Sequence, residues 1–151
     1  MKNKKNIIGV KIFKKKIISD KRGKILHMLR NDDKHFSKFG EIYFSYVFGK
    51  QVKAWHIHEK MTLNYVAAFG KIKLVLFDNR KKSKTFGVFQ EIILSNKSHY
   101  LVSIPPNIWN GFQSANSKLA VLANCSDIPH DPKEIKRLPY NDPEIGYKWR
   151  K

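Results

Sequence analysis

Short apolar runs alternate with turn residues along the whole chain, and almost no 3.6-residue periodicity is present. Ten segments read as strands: 7–18, 24–30, 41–48, 52–58, 64–69, 72–78, 88–94, 100–104, 108–113 and 119–124. Between them stand DKRG at 20–23, FG at 48–49 and 69–70, DN at 78–79, SN at 95–96 and PPN at 105–107, the residue types that tight turns require. Many strands at regular spacing with no helix between them leave an all-β sandwich or barrel. Within 71–77, Ile72, Leu74 and Leu76 fall on one face, the alternation of a half-buried strand. Residues 131–141 admit a helical turn. The end at 141–149, rich in aromatics, is expected to return to the barrel. With no linker or repeat, one domain is expected over 1–151, with an edge strand at about 7–18 and a tail at about 131–151.

The formal net charge of +18 is the strongest compositional signal. It is made by 25 Lys and only 5 Arg, most of the lysines scattered singly. Base and phosphate recognition favours the guanidinium fork, so the excess reads as a solvated surface, and no nucleic-acid partner is expected. No apolar run approaches the roughly 18 residues of a membrane span. The basic start has no long apolar core of a signal peptide, so neither membrane attachment nor export is expected. Cys125 is the single cysteine, which fits a reducing, cytoplasmic setting.

The chemistry concentrates in VKAWHIH at 52–58. In a strand His56 and His58 point to one face, where two imidazoles can bind a metal or act as acid and base. In a barrel metal site of this kind the third and fourth ligand positions carry Asn64 and Asn110. Amides are weak ligands for zinc or iron, so no metal and no other cofactor is expected.

Five segments together resemble the dTDP-4-dehydrorhamnose 3,5-epimerase family, in order and approximate spacing from about residue 10 to 149. They are DKRG at 20–23; KAWH at 53–56, where the family has RGLH; DNR at 78–80 with SKTFG at 83–87; IPPNIWNGF at 104–112; and NDPEIGYKW at 141–149. The resemblance implies a cupin-type antiparallel β-barrel (jelly roll). It implies an isomerase acting on a nucleotide-diphosphate sugar with a ketone at C4, in surface-glycan or lipopolysaccharide biosynthesis, and a homodimer that pairs strands across its interface. By resemblance His56 is the base and Asp142 the carboxylate behind it. Arg22 and Lys53 contact the diphosphate, and Trp109 and Tyr65 cover the base or sugar, as does Trp55. Tyr43 and Asn110 complete the expected substrate contacts.

The chain also departs from the family pattern. Ala123 stands at the expected place of a proton-donating tyrosine, Leu63 or Asn64 at that of an enolate-steadying lysine, and Asn110 at that of a second histidine. Tyr43, Tyr46, Tyr65 and His58 are the groups left to supply a second proton. The His-x-His pair is also similar to sugar 3,4-ketoisomerases, related cupins that move a proton between C3 and C4. A cupin that binds a nucleotide sugar without converting it is the remaining alternative.

Overall fold

A computed structural model describes residues 6–150. Residues 1–5 and Lys151, part of the single-domain expectation, lie outside the described residues. Among the described residues, twelve strands form two five-stranded antiparallel sheets and one hairpin. The first sheet has the order β1 (Lys11–Lys14), β9 (Tyr100–Ile104), β6 (Leu63–Phe69), β11 (Ala120–Ser126), β4 (Glu41–Val47). The second has the order β12 (Ile135–Arg137), β5 (Val52–His58), β10 (Trp109–Ser114), β7 (Lys71–Phe77), β8 (Phe89–Ser95). β2 (Ile17–Asp20) and β3 (Gly23–Leu26), among the described residues, pair only with each other. No helix among the described residues is long and apolar enough to cross a membrane.

Period-2 alternation decides which side chains meet between the sheets. Ile72, Leu74 and Leu76 are fully buried there against Leu63, Tyr65, Ala67, Phe112 and Leu122. The opposite face of β7 is apolar too. Val75 and Phe77 pack outward with Trp55, Trp109 and Ile145, and Leu138, Tyr147 and Trp149 of the C-terminal segment cover them. The outer face of the first sheet buries Val66, Leu101 and Ala123 beneath Phe13, Met28 and Leu29. Two glycines permit close approaches. Gly70 turns β6 into β7 with φ +73°, where a side chain is strained. A Cβ on Gly111 would lie 2.3 Å from that of Ala54, so β10 and β5 meet closely beside the histidine strand.

Two expectations about elements need correction. The stretch 7–18 is not one strand: Ile7 enters the core, β1 pairs with β9, and β2 leaves the sheet for the hairpin. Residues 131–141 contain no helical turn that shapes the site. They contain β12, paired with β5 so that Ile135 opposes His58 and Arg137 opposes His56.

Candidate active site

Residues of both sheets line a cavity of about 590 Å³. β4 contributes Glu41, Tyr43 and Ser45, β5 contributes Lys53, His56 and His58, and β12 contributes Arg137. Tyr65, Phe112 and His130 also line it. The volume is that of a small-molecule site. Among the described residues no group of three His, Cys, Asp or Glu side chains is arranged to hold a metal.

The two histidines share this wall with ring centroids 6.0 Å apart, but their surroundings differ. His56 Nε2 lies 3.2 Å from the Tyr65 hydroxyl. That hydroxyl donates to Asn110 Oδ1 at 3.2 Å, and Asn110 Nδ2 donates to the His56 carbonyl at 3.1 Å. Because Asn110 Oδ1 can only accept, the single Tyr65 proton is committed to it. His56 Nε2 is therefore the N–H donor and Nδ1 carries the lone pair. Burial, followed by the electrostatic influence of His58, Arg137 and Lys53, pulls the His56 ring down to about 3. Burial and then Tyr43 raise Tyr65 well above the ordinary phenol range, so both groups stay neutral at physiological pH.

His58 is backed by a carboxylate. Its Nδ1 hydrogen-bonds Glu134 Oε1, while Glu134 Oε2 accepts the backbone N–H groups of Lys60 and Met61 at 3.1 and 3.3 Å. Both side chains are buried. Burial works to raise the Glu134 carboxyl, yet His58 and the two N–H donors together hold it below the ordinary glutamate range.

Of the expected site residues, the structure brings His56, His58, Lys53, Tyr43, Tyr65 and Asn110 together. Lys53 Nζ reaches Ser45 Oγ at 2.6 Å and the Tyr46 carbonyl at 3.2 Å. Asp142, Trp109 and Arg22 lie elsewhere. Asp142 lines a separate surface concavity with Tyr140 and Trp149, and its carboxylate caps its own turn by accepting Glu144 N–H at 2.9 Å. It is not the partner of His56. Trp109 alternates with the inward-facing Asn110 and so packs outward against Val75 and Phe77. Trp55 borders the cavity, yet its ring packs in that outer cluster, its indole N–H donating to the Tyr140 carbonyl. Arg22 lies on the exposed β2–β3 turn, paired to Asp20 at 2.7 Å, outside this chain's cavity. Ala123 also needs reassignment. It points into the outer cluster, whereas Asn124 stands in register with Tyr43 and Tyr65. Sequence reasoning missed Glu134 and Arg137. The register of β12 places Arg137 opposite His56, and Glu134, just before β12, is tied to the end of the histidine strand by the Glu59 N–H bond to its carbonyl.

A two-sheet jelly roll with acid–base side chains and two cations around an interior cavity defines a cupin built to handle a small anionic substrate. The dTDP-4-dehydrorhamnose 3,5-epimerase family profile matches residues 4–151, and the chain belongs to that family, an isomerase family. It is similar to the spore coat polysaccharide biosynthesis protein SpsL of Bacillus subtilis, 31% identical over 145 residues that cover 95% of this chain and 96% of the relative. The probable low-salt glycan biosynthesis epimerase Agl13 of Haloferax volcanii is 28% identical over 149 residues, covering 95% of each chain. Among solved structures, a dTDP sugar isomerase from Desulfovibrio desulfuricans superposes with a TM-score of 0.92 at 40% identity, covering 95% of this chain and 92% of the other.

Proposed function

We propose that the protein epimerises a nucleotide-linked 4-keto-6-deoxy sugar at C3, C5 or both, in the cytoplasmic synthesis of a surface glycan such as lipopolysaccharide. The observation that carries this reading is the pairing of two imidazoles on one face of β5 with two cations in one cavity. A ketone at C4 acidifies the neighbouring C–H bonds. Removing such a proton suits a histidine, whose ordinary pKa lies near the working pH. On this reading Lys53 and Arg137, which line the cavity, take the diphosphate, each charge-assisted hydrogen bond contributing about 1.5–3 kcal/mol. Replacing either by alanine is predicted to raise KM by roughly tenfold or more.

The His-x-His pair on one wall also supports a second reading, 3,4-ketoisomerisation, because that reaction moves a proton between adjacent carbons. Incubation with nucleotide-linked 4-keto-6-deoxyhexoses and NMR of the product separates the readings. Inverted C3 or C5 with the ketone retained at C4 is the expected result. A 3-keto product would establish the isomerase, and binding without conversion would leave a sugar-nucleotide-binding cupin.

A homodimer belongs to the same reading. Ile42, Phe44 and Tyr46 form an exposed apolar row on edge strand β4, and Ile18 and Ile25 are exposed on the unpaired hairpin. A second copy covering these surfaces would satisfy the open edge. Mass measurement in solution tests it: a monomer at micromolar concentration contradicts the assembly.

A further inference from the structure

Of the three histidines that line the cavity, two share strand β5, and of that pair only His58 has a carboxylate behind it. We propose that His58, held by Glu134, and not His56, takes the substrate proton and carries it through the reaction. The inference rests on the epimerase reading above and names the group that performs its proton transfer.

The geometry distinguishes the two rings. Glu134 is anchored by backbone N–H donors from Lys60 and Met61 on one oxygen, so its other oxygen is fixed on His58 Nδ1. A carboxylate there commits the proton to Nδ1 and leaves the Nε2 lone pair for the cavity. When Nε2 gains a proton, the new imidazolium charge lies against a carboxylate. His56 has no such partner. Its bonded neighbours are a phenol and an amide, and the charged side chains sharing its wall, Lys53 and Arg137, are cations. Glu41 and His130 are the remaining titratable groups lining the cavity beside the tyrosines, and neither hydrogen-bonds His56. A purely structural role for the buried pair is already filled by the backbone. β12 is tied to β5 through its ladder, and Glu59 N–H donates to the Glu134 carbonyl at 2.8 Å.

The chemical step balances with these groups and solvent. His58 Nε2 takes the proton from a carbon next to the C4 ketone. The C–H electron pair becomes the C=C bond of an enolate, and the C4 oxygen takes the negative charge. The proton stays on Nε2 as imidazolium, neutralised by Glu134, until it exchanges with water, and inversion is completed by a second proton, drawn from solvent, that reaches the opposite face of the enolate. Glu134 is a positioning residue, because it acts through His58.

The test is Glu134→Gln in the full-length protein. Glutamine keeps an acceptor for the Lys60 and Met61 N–H groups and turns its NH₂ toward His58. That forces Nδ1 to accept and puts the proton on Nε2, the wrong nitrogen. Solvent deuterium incorporation into a nucleotide-4-ketosugar is expected to fall about 10²–10⁴-fold, with KM changed only a few-fold. Ring ¹⁵N spectra should show the His58 tautomer inverted, a change that a structural role does not predict to matter for exchange. His58→Gln should lose exchange to a similar extent. Wild-type exchange that persists at full rate in Glu134→Gln despite an inverted tautomer, or in His58→Gln while His56→Gln abolishes it, would overturn the assignment and leave the epimerase reading intact. Absence of exchange in the wild-type protein would overturn both.

Discussion

Acid should destabilise this protein through His56, and the size of the effect can be worked from its surroundings. In the unfolded chain the ring has its ordinary pKa of 6.5; in the fold it is pulled down to about 3. Between these values the unfolded state binds a proton that the native state refuses. Stability from this group is therefore lost as pH falls through 6.5 toward 3. From pH 7 to pH 5 the linkage amounts to about 2 kcal/mol. The ring borders an open cavity, so water reduces this to roughly 1–2 kcal/mol. The perturbation is His56→Gln, which keeps a polar side chain beside Tyr65 and cannot titrate. Urea unfolding of both proteins at the two pH values isolates the term, since other titrating groups cancel in the difference. The wild type should lose about 1–2 kcal/mol more than the variant. Equal losses would show that His56 is protonated as easily in the fold as in water.

Other perturbations follow from the same contacts. Tyr65→Phe removes the hydroxyl that joins His56 to the buried Asn110, which should cost about 1–3 kcal/mol in denaturant unfolding because two polar atoms lose a partner. Asp142→Ala should leave turnover within a few-fold of wild type in a product assay, since that carboxylate caps its own turn outside the cavity. Gly111→Ala forces a methyl to 2.3 Å from the Ala54 Cβ. It should cost about 1–3 kcal/mol by thermal or urea unfolding and lower activity by shifting β5.

The central strands were legible because period-2 alternation is set by the backbone. Segments 41–48, 52–58 and 100–104 correspond to β4, β5 and β9 almost residue for residue. The same alternation put His56 and His58 on one face, and applied to Asn110 it would also have sent Trp109 outward. The edges were less readable. Lys15 interrupts 7–18 because its side chain is buried against Asp33, a contact that local sequence does not encode. β12 is three residues long and exists through its pairing with β5, so no periodicity marks it. Glu134 is one of 12 acidic residues and is distinguished only by burial beside His58. Asp142 carried the family's motif, yet an Asp-Pro turn fixes a local cap and says nothing about where the loop lies relative to β5.

The most direct measurement of the account is NMR of a nucleotide-linked 4-keto-6-deoxy sugar incubated with the wild-type protein in deuterated water. A proton-transfer site at the β5 histidines predicts deuterium entering at C3, C5 or both, and a loss of that signal when His56 and His58 are replaced together. A sugar that stays fully protonated at both carbons, or one that exchanges equally with the doubly substituted protein, would contradict it.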